Sequence, residues 1–111
     1  MIYIASPYSH PDPKVRNFRF ESALTYANML MGMGHTCFSP IAYGHQFSLR
    51  FYRPTAFEAW IDFNDRILLA CESMHILTID GWEESRGIAH EQKLAEDHGI
   101  QVCHVAWNPY A

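Results

Sequence analysis

The stretch TIDGWEESRGIAHEQKLAEDHG, which runs from Thr78 to Gly99, decides how the rest of the chain is interpreted. The end of a hydrophobic strand, His75 to Ile79, gives way to a polar loop, Asp80 to Gly87, and then to a helix. We expect this helix to end at Gly99, since glycine commonly terminates helices. Strand, loop and helix in this order form one unit of an α/β fold.

One residue of the predicted helix breaks its amphipathic pattern. At about 3.6 residues per turn, Ile88, Leu94 and Ala95 mark the buried arc. Glu91 falls inside this arc, because it lies three residues from both Ile88 and Leu94. The acids near the end of the helix fall on the opposite arc. The sequence therefore predicts a single carboxylate on the apolar side of the helix, in its first turns after a strand.

Glu91 has two interpretations. A carboxylate in a partly dry pocket beside a helix N-terminus can attack an electrophilic carbon or transfer a proton. Alternatively, Glu91 is a buried structural residue that pairs with backbone groups or with an arginine such as Arg86 or Arg66. Helical spacing alone does not choose between them.

Asp65 is the second candidate for a functional carboxylate. It lies between Ile61 and Leu69 at four-residue spacing, in a helix that is apolar nearly all round. Such an acid faces either solvent, through a gap in the apolar surface, or a site, and periodicity does not decide which. If the tips of Asp65 and Glu91 converge over the sheet, the pair suits glycosidic chemistry, with one nucleophile and one acid or orienting group.

The whole chain repeats the alternation of strand and helix. The first strand stops at Ser6-Pro7, since proline does not continue a central strand. Glycines end two of the helices, and the alternation is typical of a parallel sheet covered on both faces. The predicted strands are Met1 to Ala5, His35 to Ser39, His75 to Ile79 and Gln101 to Ala106, and the predicted helices run from about Lys14 to Gly32, from Thr55 to about Glu72 and over residues 87–98.

The pattern also locates the ligand end of the sheet. In parallel sheets of this kind, ligands lie outside the carboxyl ends of the strands, which directs attention to Ser6 to His10, Pro40 to Gln46 and Asp80 to Gly87. The segment Ile41 to Pro54 has no clean period and is predicted to be a long loop across this end. The apolar arc of the first helix is predicted to contain Phe20, Ala23, Leu24, Ala27, Leu30 and Met31.

The loop before the last helix contains groups that suit a ligand. Ser85 and Gly87 offer a hydroxyl, free N–H groups and space where an anion would bind, although serine at this place is more commonly only an N-cap. Asp80 and the glycine after it form a turn that presents Trp82. This indole either stacks on a flat ring or packs down on the loop.

Composition narrows the class of protein. With 111 residues, the chain is predicted to be a single domain, residues 1–111. A formal charge of -4 without a basic cluster argues against a nucleic-acid partner, and no apolar run approaches the roughly 20 residues of a membrane span. Three scattered cysteines suit core thiols in a reducing compartment, so a cytoplasmic location is expected. The seven histidines have no metal-binding spacing and no cofactor motif is present, so neither metal nor cofactor is expected.

Three motifs occur in a recognisable order. The chain opens with IYIASP, carries Asn64-Asp65 in a helix, and begins another helix with Ser85, Gly87 and Glu91 in the spacing S-x-G-x-x-x-E. Together they resemble the nucleoside 2-deoxyribosyltransferase family and its relatives, the deoxynucleoside monophosphate N-glycosidases, over about residues 1 to 106. Each motif is short, so the resemblance depends on their order and on the elements that carry them.

The resemblance implies a fold and a chemistry. The fold is a flavodoxin-like three-layer αβα sandwich with a four- to five-stranded parallel sheet. Glu91 would attack C1′ of the sugar and form a covalent glycosyl-enzyme, while Asp65 assists the base and Tyr3 hydrogen-bonds the nucleophile. The implied partner is a nucleoside or deoxynucleoside, or its 5′-monophosphate, and the implied assembly is a homodimer or a higher homo-oligomer. The residues expected around the sugar or phosphate are Ser6, Ser9, Ser85 and Gly87.

The sequence departs from the family around the nucleophile. His90 and Gln92, which flank Glu91, are larger and more polar than the small residue usual beside the family's glutamate. The first loop reads SPYS, where the family has Gly-rich or Arg-containing versions. Two functions of other classes therefore stay open: a nucleotide-sensing or sequestering module without turnover, and a structural or interaction domain on the same fold.

Overall fold

The computed structural model of the protein describes residues 1–110. These residues form four strands and four α-helices, which alternate except that α2 and α3 follow each other, and one short 3-10 helix, Trp82–Glu84, precedes the last α-helix. No α-helix among them is long and apolar enough to cross a membrane. The elements are β1 (Ile2–Ala5), α1 (Pro13–Gly32), β2 (Cys37–Phe38), α2 (Pro40–Phe51), α3 (Phe57–Leu68), β3 (Ser73–Leu77), α4 (Arg86–Asp97) and β4 (Gln101–Val105).

The strands form one parallel sheet in the order β2-β1-β3-β4. Tyr3 of β1 pairs with Phe38 of β2 on one side and with Met74 of β3 on the other. Strand β4 completes the sheet beside β3. Helices cover both faces, so the expected α/β class and flavodoxin-like three-layer architecture are confirmed, with a four-stranded sheet.

Side chains alternate between the two faces of the sheet, because successive residues of a strand point to opposite sides. Tyr3 and Ile76 pack with Ile88 of α4 in a core cluster beneath α3 and α4. Ile4 and Leu77 pack against α1 in a second cluster. Tyr3 is fully buried, and it lies on the side of the sheet that α4 covers. This alternation brings the first strand under the helix that carries Glu91.

Helix α1 begins where predicted, and its buried arc agrees with the predicted one only in part: Ala23, Ala27 and Leu30 are buried as predicted. Asp12 caps it, since Oδ1 accepts the backbone N–H of Lys14 at 2.9 Å, and Pro13 follows in the first helical position. Two residues of the predicted apolar arc, Leu24 and Met31, are 40% and 64% exposed. The prediction was wrong here because polar side chains that find hydrogen bonds can be buried. The buried residues of α1 are Arg19, Ser22, Ala23, Tyr26, Ala27 and Leu30.

Helix α2 occupies the segment that was predicted to be a long loop. Ser39 accepts the backbone N–H of Ala42 at 3.0 Å, and Pro40 stands in the first helical position. A serine followed by proline is thus a helix start here, because proline lacks only an N–H that the first turn leaves unpaired anyway. Strand β2 has only two residues, Cys37 and Phe38, because α2 already begins at Pro40. The helix ends at Phe51 and is followed by Tyr52, which adopts a left-handed conformation with φ 56°.

Helix α3 is shorter than predicted at both ends. Thr55 was expected to cap it, but the helix begins at Phe57 without a side-chain cap. It ends at Leu68, before the predicted end near Glu72. Strand β3 then begins earlier than predicted, at Ser73, because the N–H of the preceding residue already donates to the carbonyl of the first residue in the chain. The chain therefore enters the sheet directly beside β1.

Candidate functional site

A cavity of about 730 Å³ opens at the carboxyl ends of β1 and β3. The order of the sheet changes direction between these two strands, with β2 beyond β1 and β4 beyond β3, so the cavity lies at a topological switch point. The three predicted segments, Ser6 to His10, Pro40 to Gln46 and Asp80 to Gly87, each contribute to its wall. Helix α3 and the first turns of α4 complete the wall.

Glu91 lies in the wall of this cavity and is 8% exposed. The predicted helix phase is confirmed, because Glu91 is buried on the same face of α4 as Ile88 and Ala95. The hydroxyl of Tyr3 donates a hydrogen bond to Oε2. Oε1 makes no hydrogen bond to any residue in 1–110, and a Cβ on Gly87 would lie 4.0 Å from it. The missing side chain of Gly87 therefore leaves space beside Oε1.

Burial controls the protonation of the Glu91 carboxyl group. Removal from water raises its pKa to about 7, because a buried charge loses hydration. The hydrogen bond from Tyr3 lowers this pKa, and the negative charge of Asp65 adds to the rise. Burial and the charge of Glu91 raise the pKa of Tyr3 well above its usual value, so the phenol remains a hydrogen-bond donor at neutral pH.

The structural alternative for Glu91, a pair with an arginine, does not occur within residues 1–110. Arg86 instead binds Glu58 of α3, with 2.9 Å between Nη1 and Oε1, and both side chains are exposed. Its guanidinium also lies over the ring of Phe57, 5.1 Å from the centroid. Arg66 is exposed on α3. Glu91 thus keeps a carboxylate oxygen that no cation occupies.

Asp65 lines the same cavity from α3, so the two predicted carboxylates converge on one site. Its carboxylate is bound by His90, whose Nε2 lies 2.9 Å from each of the two oxygens. The two side chains are 25% and 34% exposed. His90 was noted in the sequence only as a departure from the family, and its contact with Asp65 depends on the packing of α3 against α4.

The predicted substrate-binding residues other than Trp82 all line the cavity: Ser6, Ser9, Asp80, Ser85 and Gly87. The backbone carbonyls of Ser9 and Asp80 accept hydrogen bonds from Arg19 at 2.9 and 3.3 Å, so this guanidinium joins the loops after β1 and β3. Ser85 caps α4, because its Oγ accepts the N–H of Ile88 at 3.2 Å. A hydroxyl that accepts in this way still carries its own hydrogen to donate.

Trp82 lies outside the cavity wall. Its indole packs against the core cluster beneath α4 and contacts His104 edge-on, with 5.3 Å between ring centroids. Trp82 therefore neither faces the cavity, as stacking on a ligand would require, nor simply packs down on its loop: its ring lies against the core and β4. The indole that lines the cavity is Trp60, whose Nε1 donates to the carbonyl of Pro54 at 2.7 Å.

Tyr8 and His45 form a second polar pair in the wall, and neither was predicted as a site residue. The Tyr8 hydroxyl and His45 Nδ1 are 2.5 Å apart, and the imidazole stacks on Phe20 at 4.1 Å. Burial lowers the pKa of His45, and the charge of Arg16 lowers it further. Recognition of Ser39-Pro40 as a helix start would have found this pair, because α2 then presents His45 to the ligand end of the sheet.

Three buried polar atoms in the wall have no partner within residues 1–110. They are Oγ of Ser6, Oδ1 of Asn64 and Nε of Arg19. Buried polar groups are normally hydrogen-bonded, so these atoms indicate a polar ligand or water in the cavity. No cluster of three or more His, Cys, Asp or Glu side chains that could hold a metal ion occurs among the described residues.

Comparison with known proteins shows the family to which the chain belongs. No curated protein matches the chain. A family model matches residues 1–107, which include every residue of the cavity wall. By this match the chain belongs to the DUF1937 family, which is described as a domain of unknown function.

Proposed function

We propose that the protein cleaves or transfers at the N-glycosidic bond of a nucleoside, a deoxynucleoside or its 5′-monophosphate, through a covalent intermediate on Glu91. One observation carries the proposal. The buried carboxylate of Glu91 has one oxygen held by Tyr3 and the other open beside Gly87, on the wall of a cavity of about 730 Å³. The position of Asp65 in the same wall supplies the second carboxylate that glycosidic chemistry requires.

The geometry suits a reaction in two steps. In the first, Oε1 of Glu91 forms a bond to C1′ while the bond from C1′ to the base breaks, and the bonding electron pair leaves with the base, which takes up a proton. In the second, water or a free base attacks C1′ and releases the carboxylate, so the anomeric configuration is retained. The hydrogen bond from Tyr3 to Oε2 fixes the rotation of the carboxylate and aims Oε1 at the sugar.

The wall offers groups for each part of such a substrate. The unpaired Oγ of Ser6 and Oδ1 of Asn64 suit sugar hydroxyls. The start of α4, with the hydroxyl of Ser85, suits a 5′-phosphate. Trp60 and Phe57 present aromatic rings for the base. Trp82 does not have this role, because it packs on the core outside the cavity.

A substrate panel tests the proposal. The wild-type protein is incubated with common nucleosides, deoxynucleosides and their 5′-monophosphates, and released bases are detected by mass spectrometry. We expect release with at least one of them and none with Glu91→Ala. The matched control is Glu96→Ala, because Glu96 is exposed on the same helix. This variant should keep wild-type activity.

Two outcomes contradict the enzymatic proposal. The first is the absence of any released base with the wild-type protein across the whole panel. If calorimetry then finds tight nucleotide binding without product, the protein is a sensing or sequestering module. The second is unchanged release with Glu91→Ala, which would exclude Glu91 as the nucleophile.

We also propose a homodimer or a higher homo-oligomer, located in the cytoplasm. An exposed aromatic face on α2 and α3 supports the assembly, since Tyr43, Phe51 and Phe63 are 44%, 64% and 42% exposed. Tyr43 and Phe63 stack with 5.7 Å between ring centroids, and Phe63 contacts Trp60 of the cavity wall. The free thiols of all three cysteines support a reducing compartment. Light scattering tests the assembly, and a monomer at all concentrations would contradict it.

A further inference from the structure

The carboxylate of Asp65 is already engaged by a neighbour. Nε2 of His90 lies 2.9 Å from Oδ1 and 2.9 Å from Oδ2, so the imidazole bridges both oxygens. A carboxylate accepts hydrogen bonds in this arrangement, and Nε2 must therefore carry the hydrogen. A nucleobase that approached Asp65 directly would have to compete with His90 for the carboxylate oxygens.

His90 is held toward the cavity by the elements on either side. It precedes Glu91 on α4, and both residues line the same wall. Asp65 binds one ring nitrogen from α3, and the ring of Phe57 contacts the imidazole edge-on at 5.4 Å between centroids. The other nitrogen, Nδ1, makes no hydrogen bond to any residue in 1–110. The imidazole thus has one fixed nitrogen and one nitrogen available for proton exchange.

A purely structural pair does not account for this placement. Ion pairs between partly exposed side chains contribute little to stability. The chain has such a pair between the same two helices, Arg86 with Glu58, and both of these side chains are exposed. Asp65 and His90 are less exposed, and they meet at the cavity wall beside the carboxylate proposed as nucleophile.

We propose that His90 gives the proton to the departing base and that Asp65 is a positioning residue that acts through His90. This inference rests on the proposed function, which supplies the nucleoside substrate and the attack by Glu91.

The proton balance is complete within the site. The cycle starts with Glu91 ionised and with His90 as the imidazolium, which carries a hydrogen on both ring nitrogens. As Oε1 of Glu91 bonds to C1′, the bond from C1′ to the base breaks, its electron pair passes to the base nitrogen, and Nδ1–H of His90 transfers its proton to the base. The imidazole is then neutral and still donates Nε2–H to Asp65. When water attacks C1′ in the second step, its proton returns to Nδ1, its oxygen bonds to C1′, and the Glu91 carboxylate leaves. The enzyme returns to its starting state.

Leaving groups of different basicity separate this role from a structural one. The substrates are a nucleoside that the wild-type protein cleaves and the 4-nitrophenyl glycoside of the same sugar, since nitrophenolate departs without a proton. The variant is His90→Gln, because an amide can still donate to Asp65 but cannot release a proton. The matched control is Gln92→Ala, since Gln92 flanks Glu91 on the other side and its amide binds the exposed Glu96.

We expect His90→Gln to slow release of the base in the first turnover of the nucleoside by about 100-fold or more, the usual range for loss of an acid catalyst, and to leave first-turnover release of nitrophenolate within about threefold of wild type. First-turnover rates are compared because His90 also takes the proton of water in the second step, which the two substrates share. Asp65→Asn should show the same selectivity for leaving group with a smaller loss. Gln92→Ala should leave both substrates unchanged. Circular dichroism and thermal unfolding establish that each variant is folded.

Equal losses of His90→Gln on the two substrates, or no loss on the nucleoside, would overturn the role of His90. A selective effect of Asp65→Asn without one of His90→Gln would assign the proton to Asp65 and also overturn it. Failure of the proposed function has a different signature, because Glu91→Ala would then leave the cleavage of both substrates unaffected or the wild-type protein would cleave neither.

Discussion

Glu91 is the residue on which the chemistry of the site depends. Its place on the apolar side of α4 follows from helical spacing, but its hydrogen bond to Tyr3 joins residues from opposite ends of the chain. Two opposing effects set its pKa at about 7: burial raises it and the Tyr3 hydroxyl lowers it. In the proposed reaction the carboxylate attacks only in its ionised form, so the reaction rate should depend on pH around the pKa of Glu91.

The first prediction concerns the hydrogen bond from Tyr3. Loss of the hydroxyl in Tyr3→Phe removes an interaction that favours the ionised form, so the pKa of Glu91 should rise above about 7. The acid limb of kcat/KM, which reports the free enzyme, should then move to higher pH than in wild type. Rates measured from about pH 5 to about pH 9 locate the midpoint of this limb, because this range extends to either side of a pKa of about 7. An unchanged midpoint in Tyr3→Phe would contradict the assignment.

The second prediction concerns stability. The pKa of the Glu91 carboxyl rises from its usual 4.5, which applies to the unfolded chain, to about 7 in the folded protein. The folded state therefore binds this proton more tightly. Its contribution to stability is complete below the unfolded pKa and is lost as pH rises through the folded pKa. Glu91→Gln does not titrate, and its free energy of unfolding relative to wild type should increase by up to about 3 kcal/mol on going from acid to alkaline pH. Urea unfolding at several pH values measures this difference, and a constant difference would be the contrary result.

At the scale of elements, helix starts decide which residues reach the site. Asp12, Ser39 and Ser85 each accept a backbone N–H in the first turn of a helix. Ser39 matters most for function, because the helix that it caps places His45 in the cavity wall. Thr55 was the predicted cap of α3 and makes no such bond.

The third prediction compares these two positions. Ser39→Ala should lower the free energy of unfolding by about 1 kcal/mol, since the N–H of Ala42 loses its side-chain acceptor. Thr55→Ala should change it by less than about 0.5 kcal/mol, as is usual for surface substitutions. Chemical denaturation of the two variants beside wild type gives both values. Equal losses would show that the cap of α2 is not at Ser39.

At the scale of the whole molecule, Arg19 connects the two halves of the sheet above the switch point. It is 8% exposed on α1, and its guanidinium donates to the carbonyls of Ser9, after β1, and Asp80, after β3. Gly81 packs directly on this guanidinium, and a Cβ there would overlap Nη2. The mouth of the cavity is therefore held by a contact between parts of the chain that are distant in sequence.

The fourth prediction tests this contact with two glycines. Gly81 and Gly99 both have positive φ, 92° and 70°, so alanine at either position is strained by about 1–2 kcal/mol. Around Gly99 no atom lies within 4 Å of an added Cβ, whereas at Gly81 the Arg19 guanidinium must move and lose hydrogen bonds. Gly81→Ala should therefore lower the free energy of unfolding by at least about 1 kcal/mol more than Gly99→Ala, since hydrogen bonds of charged groups are worth about 1.5–3 kcal/mol. Urea unfolding compares them, and equal losses would argue against the contact.

Much of the fold could be predicted from the local spacing of apolar and polar residues. The alternation of strands and helices predicted the parallel sheet, and the helix phase placed Glu91 on the buried side of α4. These features depend on the spacing of neighbouring residues, which the sequence states directly. The prediction of a loop over residues 41–54 was wrong. The aromatic residues of this segment pack with α3, as the stacking of Tyr43 on Phe63 shows, and they leave no clean apolar period that would have indicated a helix.

The stretch from Thr78 to Gly99 by itself determined a loop, a capped helix and a carboxylate on the buried side of that helix, whereas the strand that was predicted to reach Ile79 ends at Leu77. Only the tertiary structure decided what each group meets: Glu91 binds Tyr3, Asp65 binds His90, and Trp82 packs on the core instead of the cavity. The physical reason is that side-chain partners come from elements distant in sequence, and the burial that raises the pKa of Glu91 arises only when α4 packs over β1.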